Sequence, residues 1–118
     1  MKKILVVDDS DDDRELVVSF LTLKGYSCEE ARNGKEALEK IKEKKFDLVI
    51  SDFQMPDGDG PWLATELDKL NLNISFILVS SDAVQEGKSL FNLGLVDCFL
   101  SKPLDFKLLL SQIHRLGF

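Results

Sequence analysis

Five strand-like runs, each followed by a stretch with helical spacing of apolar residues, constrain the fold of this chain most strongly. Four of the runs are mostly apolar, whereas the second contains charged residues and is expected at an edge of the sheet. The five runs are Ile4–Val7, Tyr26–Ala31, Leu48–Ser51, Ile74–Val79 and Val96–Leu100. Strand and helix therefore alternate five times with short connections, which predicts an α/β domain with a parallel sheet covered by helices on both faces.

Start and stop signals delimit the helices between these runs. Ser10 or Asp11 is expected to cap the first helix, Asn33 the second, and Pro61 fits the first turn of the third. The predicted apolar sides are Leu16, Val17, Phe20, Leu21 and Leu23 in the first helix, Ala37, Leu38 and Ile41 in the second, and Trp62, Leu63, Leu67 and Leu70 in the third. The fourth helix, Ala83 to Leu93, is shorter and more polar, and the last follows Pro103 with Leu104, Leu108, Leu109, Ile113 and Leu116.

Length and charge narrow the functional classes. The 118 residues suffice for one domain, expected to cover residues 1–118. The net charge of −6 argues against direct contact with nucleic acid or an anionic membrane. We expect neither membrane insertion nor an export signal, because no apolar run is long enough. Cys28 and Cys98 are far apart in the sequence, which favours reduced thiols in the cytoplasm.

Polar residues follow four of the predicted strands. Asp8 and Asp9 follow the first strand, Asp52 the third, Ser80 and Ser81 the fourth, and Ser101-Lys102-Pro103 the fifth. The carboxyl ends of parallel strands share one edge of the sheet, and ligands bind at that edge in open α/β folds. We therefore expect two to four carboxylates, a hydroxyl and one ammonium group to meet there.

This set of side chains is suited to phosphoryl chemistry. Clustered carboxylates repel one another unless a cation intervenes, and oxygen ligands without His or Cys favour Mg²⁺. Asp52 would be a nucleophile that forms an aspartyl phosphate, while Lys102 and Ser80 would stabilise charge on the phosphoryl oxygens. Each signal is weak alone, and their joint placement at successive strand ends indicates the site.

The same motifs resemble the receiver domain of a two-component response regulator, of the single-domain chemotaxis-regulator kind. The resemblance covers the chain from end to end. It rests on Val6-Val7-Asp8-Asp9, Leu48-Val49-Ile50-Ser51-Asp52 with Met55-Pro56 and Asp59-Gly60, Val79-Ser80-Ser81, and Ser101-Lys102-Pro103. It implies a flavodoxin-like doubly wound fold with sheet order 2-1-3-4-5.

The resemblance also implies roles for individual residues. Asp52 would be the phosphoacceptor. Asp9 would bind Mg²⁺ directly and Asp8 through water, with the backbone carbonyl of Gln54 as a further ligand. Ser80 and Lys102 would contact the phosphoryl group, and Phe99 would be the switch aromatic. The implied partners are a sensor histidine kinase or histidine phosphotransfer protein and an unidentified downstream protein; the only catalysis implied is phosphoryl acceptance and loss by the domain itself.

Some positions depart from the family pattern. Ser80 stands where Thr is more usual, which keeps the hydroxyl but leaves its rotamer less fixed. Gly58 and Pro61 stand where apolar residues are usual, which bears on the mobility of the loop after Asp52. Asp82 adds an acid near the site and bears on the lifetime of the phosphoryl group.

Other readings of the sequence fit less well. A phosphatase of the haloacid dehalogenase type would need its nucleophile on the first strand. An FMN-binding flavodoxin would need a first loop rich in Ser, Thr and Gly, whereas this loop is acidic. An EF-hand would need Gly where Arg14 stands. A relay intermediate or phosphate sink without its own output remains an alternative. His114 is expected to be solvated, Trp62 to pack in the core, and the cysteines to form no disulfide.

Overall fold

A computed structural model describes residues 2–81 and 84–118, and within them strands and helices alternate as predicted. The strands are β1 (Lys3–Val7), β2 (Ser27–Ala31), β3 (Leu48–Asp52), β4 (Ser75–Ser80) and β5 (Cys98–Ser101). The helices are α1 (Asp11–Leu23), α2 (Gly34–Glu43), α3 (Gly60–Lys69), α4 (Val84–Asn92) and α5 (Phe106–Arg115). Asp82, expected near the site, and Ala83, expected to begin the fourth helix, lie outside the described residues.

All neighbouring strands of the sheet pair in parallel, in the order β2-β1-β3-β4-β5. This order confirms the flavodoxin-like topology and the edge position of β2. Val79 of β4 is the register partner of Asp52, and Ser101 of β5 is the partner of Ser80. The carboxyl ends of β3, β4 and β5 therefore lie side by side at one edge of the sheet.

Alternate residues of the central strands bury their side chains in two separate core layers. Leu5 and Val7 of β1 face a layer formed with α2 and α3, and Ile4 and Val6 face a layer formed with α1 and α5. Complete burial of one such side chain stabilises the fold by about 1.5–3 kcal/mol. The two layers hold the sheet between helices on both faces and give its polar edge a rigid base.

The helix caps agree with the sequence signals in most places. Ser10 caps α1, Asn33 caps α2, and each side chain accepts a hydrogen bond from a backbone N–H in the first turn. Pro61 lies in the first turn of α3. Helix α5 begins later than Pro103, because Asp105 caps it through hydrogen bonds from the amides of Lys107 and Leu108.

Several residues assigned to the inner faces of helices lie outside them. Leu16 is 60% exposed and Leu23 86% exposed, because α1 contacts the sheet through Val17 and Leu21. Leu70 and Leu108 are also exposed. The helical spacing identified α1 correctly but assigned it too wide an inner face.

Strand β5 starts two residues later than predicted. The amide of Asp97 donates to the Phe76 carbonyl (2.8 Å), and the Asp97 carboxylate accepts from the Phe76 amide (2.8 Å). A side chain thus takes one of the places of a backbone partner at the start of the strand. Val96 is buried in the core although it precedes β5.

Candidate functional site

Three carboxylates meet at the carboxyl ends of β1 and β3. Asp8, Asp9 and Asp52 each offer an oxygen atom, and these atoms all lie within 4.8 Å of one another. The Asp8 carboxylate is buried and accepts a hydrogen bond from the Ser10 amide (2.9 Å). Asp52 Oδ1 accepts from the Phe53 amide (3.0 Å), and Asp9 is exposed. Backbone amides thus orient two of the carboxylates, while the third faces solvent.

Lys102 places its ammonium group among these carboxylates. Its Nζ atom lies 3.5 Å from Asp52 Oδ1, 3.4 Å from Asp8 Oδ2 and 3.3 Å from Asp13 Oδ2. The backbone directs the side chain there, because the Lys102 amide donates to the Ser80 carbonyl (2.8 Å) just beyond the paired ends of β4 and β5. The single ammonium group thus faces the carboxylates of Asp8, Asp13 and Asp52.

Burial and mutual repulsion perturb the titration of this cluster. Burial, and then the neighbouring Asp8 carboxylate, raise the pKa of Asp52 to about 6. Burial also raises the pKa of Asp8. For Lys102, burial disfavours the ammonium form, but the charges of Asp52 and Asp8 outweigh it and raise the pKa. The cluster carries excess negative charge, and its all-oxygen donors fit a hard divalent cation such as Mg²⁺.

The buried residue Arg14 supports the site, and the sequence did not single it out. Its Nη1 donates to the backbone carbonyl of Asp8 (2.8 Å), and its other nitrogens bond Glu30 (2.8 Å) and Asp11 (2.6 Å). Within an acidic run an arginine reads as a solvated counter-charge. The only local signal in the sequence for the pair of Arg14 and Asp11 is their i, i+3 spacing.

The remaining predicted residues occupy three different positions. Ser80 is half-buried at the end of β4, next to Ser101 of β5. Gln54 is exposed two residues after Asp52, and with Asp9 it lines an open depression at the sheet edge. Phe99 lies outside the carboxylate cluster, half-buried in β5, with its ring 6.5 Å from that of Phe91 in α4.

A cavity of about 550 Å³ opens beside the carboxylates. Asp52 and Lys102 line its polar end. Leu16 of α1 and Phe106 of α5 are among its apolar walls. The cavity therefore lies between α1 and α5, with Asp52 in its lining.

The residues for which we expected no role in phosphoryl chemistry lie away from this site. His114 is exposed on α5, and Trp62 packs against the core layer of α2 and α3. Cys28 and Cys98 are free thiols on opposite edge strands, as expected. Within residues 2–81 and 84–118, no helix has the length and apolar character needed to cross a bilayer.

Comparison with known proteins identifies the family. Residues 4–114 match the family model described as response regulator receiver domain. Sensor histidine kinase RcsC of Escherichia coli is 37% identical over 100 residues, which are 85% of this chain and 10% of that protein. Transcriptional regulatory protein ZraR of Escherichia coli O157:H7 is 33% identical over 113 residues, 95% of this chain and 25% of that protein. The chain therefore spans only a small part of the curated relatives it matches.

Solved structures agree with this match along the whole chain. Response regulator TrrA of Thermotoga maritima, crystallised in complex with Mg(2+)-BeF, is 35% identical with a TM-score of 0.86, covering 98% of this chain and 99% of that one. Chemotaxis protein CheY4 of Vibrio cholerae is 30% identical with a TM-score of 0.90, covering 98% of both chains. The chain belongs to the response regulator receiver domain family, the receiver domains of two-component systems.

Proposed function

We propose that this chain, taken over residues 1–118 as one receiver domain, is a phosphoacceptor switch of a two-component system. Asp52 accepts a phosphoryl group from a sensor histidine kinase or a histidine phosphotransfer protein, and the change alters a surface that binds a downstream protein. The observation that carries the proposal is the ammonium of Lys102, 3.5 Å from Asp52 Oδ1 and 3.4 Å from Asp8 Oδ2, at the edge that also holds Asp9.

The reaction needs little covalent chemistry from the protein. A carboxylate oxygen of Asp52 attacks the phosphorus of a phosphohistidine, a P–O bond forms and the P–N bond breaks. The bonding electron pair returns to the imidazole nitrogen, which takes a proton from solvent. With a pKa of about 6, Asp52 is mostly ionised at neutral pH and so is ready to attack. Lys102 would stabilise the charge on the phosphoryl oxygens, and the Ser80 hydroxyl would donate to one of them.

Mg²⁺ is the cofactor that fits the cluster. Asp9 would hold it directly, Asp8 through water, and Asp52 and the Gln54 backbone carbonyl would complete the protein ligands. Bound there, the ion would supply positive charge to the phosphoryl oxygens. The oxygen atoms within 4.8 Å of one another support this assignment, as does the repulsion from Asp8, which adds to the effect of burial in raising the pKa of Asp52.

The exposed side of α1 is suited to contact with the phosphodonor. Leu16, Phe20 and Leu23 follow one another at helical spacing, and Leu16 and Leu23 are exposed. Leu16 also lines the cavity that leads to Asp52, so a protein that presents a phosphohistidine to Asp52 would cover this stripe. We expect Leu16→Ser to slow transfer from a phosphorylated histidine phosphotransfer protein and to leave labelling by acetyl phosphate unchanged.

A relay or sink role is the second candidate. The observation that favours it is the similarity to the sensor histidine kinase RcsC, of whose length this chain matches 10%. In that role the domain would pass the phosphoryl group on without a response at a distant surface. In either role the domain catalyses only its own phosphoryl acceptance and loss. The free thiols of Cys28 and Cys98 fit a cytoplasmic location.

Acetyl phosphate tests the assignment without the donor protein. In the presence of Mg²⁺, intact-mass measurement should show one added phosphoryl group that hydroxylamine removes. Asp52→Asn should abolish it, and Asp12→Asn, at an exposed acid of α1, should label like the wild type. Labelling of Asp52→Asn at the wild-type rate would refute the assignment.

A further inference from the structure

Besides the Asn33 cap, the loop that follows Asp52 accepts two hydrogen bonds from the N-terminus of α2. The Gly34 amide donates to the Gly58 carbonyl (2.7 Å), and the Lys35 amide donates to the Asp57 carbonyl (3.1 Å). The first N–H groups of a helix have no partner within the helix and are usually satisfied by side chains or water. Here backbone atoms of the loop between β3 and α3 satisfy two of them, so that loop and α2 are fastened together.

Three residues make this contact very close. A Cβ atom at Gly34 would lie 2.6 Å from the Gly58 carbonyl oxygen, and Gly58 itself has a φ of +99°, which favours glycine. The ring of Trp62 covers both residues, at 3.0 Å from the Cβ position of Gly34 and 2.9 Å from that of Gly58. We call Gly34, Gly58 and Trp62 the glycine clamp.

The clamp holds one end of the segment that carries Gln54, and the sheet holds the other. The Phe53 amide donates to the Val79 carbonyl (2.8 Å), and the side chains of Phe53 and Met55 are buried. Gln54 lies between these two buried residues. It is itself exposed and lines the same depression as Asp9. Gln54 and Gly58 belong to the same short loop, so a displacement at the glycine clamp is expected to reach the Gln54 backbone.

We propose that the glycine clamp positions the backbone carbonyl of Gln54 relative to Asp9 and Asp52, and thereby sets the affinity of the site for Mg²⁺. This inference rests on the proposed function. Partners that orient metal ligands affect metal affinity strongly even when they do not touch the ion. Coupling is reciprocal, so Mg²⁺ binding should also stabilise the clamp and protect its amides.

Gly34→Ala tests this directly. Gly34 is the first residue of α2, where Ala is a better helix former, so the main harm of the change is the clash with the Gly58 backbone. The loop must move to relieve that clash. We expect Mg²⁺ binding, followed by NMR shifts of the Asp9 amide, to weaken roughly tenfold. Glu39→Ala, at an exposed position of the same helix, is the matched control and should bind Mg²⁺ like the wild type.

Amide hydrogen exchange provides a second readout, which a purely structural role would not change. In the wild type, Mg²⁺ should slow exchange of the Gly34 and Lys35 amides, and in Gly34→Ala this protection should be lost at Lys35. If Gly34→Ala does not fold, Trp62→Leu decides, since it keeps an apolar side chain but removes the ring from the two glycines. Weaker Mg²⁺ binding is expected from it as well.

The outcomes separate the two proposals. Normal Mg²⁺ binding by the wild type together with unchanged affinity in the folded variants would overturn the role of the clamp alone. Absence of Mg²⁺ binding in the wild type would overturn the proposed function, and the clamp proposal with it.

Discussion

Arg14 donates a 2.8 Å hydrogen bond from Nη1 to the backbone carbonyl oxygen of Asp8, and both residues are only 7% exposed. The same guanidinium pairs with Glu30 at the end of β2 and with Asp11 in the first turn of α1. The buried charge thus joins α1 to the two strands that it covers. Arg14 holds the backbone of a candidate metal ligand without belonging to the site itself.

Replacement of Arg14 by Met should therefore destabilise the fold. It leaves the buried carbonyl of Asp8 without its donor, which costs about 1–3 kcal/mol in the free energy of unfolding. Urea denaturation measures this difference. Arg115→Met is the control, because Arg115 is exposed and its hydrogen bond to Gln112 lies at the surface; it should change stability by no more than about 0.5 kcal/mol. Equal losses in the two variants would contradict the role given to Arg14.

Features that depend on local sequence were predictable, whereas features that depend on tertiary approach were not. The strand runs and the caps at Ser10 and Asn33 follow from periodicity and turn chemistry, and the parallel sheet follows from their alternation. Arg14 has the same local signature as a solvated arginine, and only the pairing of β1 with β2 brings Glu30 to it.

The glycine clamp shows the same limit. Gly34 follows a predicted helix cap, and Gly58 stood out only as a departure from the family pattern in the loop after Asp52. Their contact arises because α2 and α3 pack side by side on one face of the sheet. In contrast, the meeting of Asp8, Asp52 and Lys102 could be predicted from the sequence, because the carboxyl ends of parallel strands share one edge of the sheet.

The raised pKa of Asp52 predicts how stability depends on pH in metal-free buffer. An unfolded Asp titrates near pH 4, roughly, whereas burial and Asp8 raise the pKa of folded Asp52 to about 6. Between these values the folded state binds more protons than the unfolded state, so the free energy of unfolding should fall as pH rises through this window. Asp52→Asn should make the decline shallower and should be more stable than the wild type at pH 7, by about 1–3 kcal/mol.

Urea titrations from pH 4 to pH 7, roughly the window between the two pKa values, measure this effect. Part of the decline should persist in Asp52→Asn, because burial raises the pKa of Asp8 in the same direction. Asp12→Asn, at an exposed position, should run parallel to the wild type. A curve for Asp52→Asn that also runs parallel would show that Asp52 does not titrate in this range.

Lys102→Met should separate metal binding from phosphoryl acceptance. The ammonium lies 3.4–3.5 Å from oxygens of Asp8 and Asp52, so it repels a cation bound by the same oxygens. Its removal should strengthen Mg²⁺ binding by roughly tenfold. Labelling by acetyl phosphate should slow by roughly a hundredfold, because a charge that stabilises the transition state is lost.

Isothermal titration with Mg²⁺ and intact-mass kinetics measure the two effects on the same sample. Lys107→Met, at an exposed lysine of α5, is the matched control and should change neither. If Lys102→Met lost both Mg²⁺ binding and labelling, the lysine would be needed to shape the site rather than to balance its charge.

The last prediction concerns the link from Asp52 to a distant surface through Phe99. Gly87 of α4 lies directly against this ring: a Cβ atom at Gly87 would be 3.0 Å from both Cγ and Cδ2 of Phe99. A methyl group there crowds the ring in its present, half-buried position, at a cost of about 1–3 kcal/mol. If phosphorylation draws Ser80 inward and opens space for Phe99, Gly87→Ala should favour the inward position before any phosphoryl group is bound. The corresponding shift in population is roughly 5- to 150-fold.

Beryllofluoride, as a phosphoryl mimic, gives the reference for this test. The NMR shifts of Phe99 and of residues 87–92 in Gly87→Ala should move along the line that joins the free and beryllofluoride-bound wild type. Lys88→Ala, at an exposed position of the same helix, should stay at the free end. If beryllofluoride itself leaves Phe99 and α4 unmoved while it shifts the Asp52 pocket, the domain does not transmit its state through this face. It then stores or relays the phosphoryl group, as the second candidate function requires.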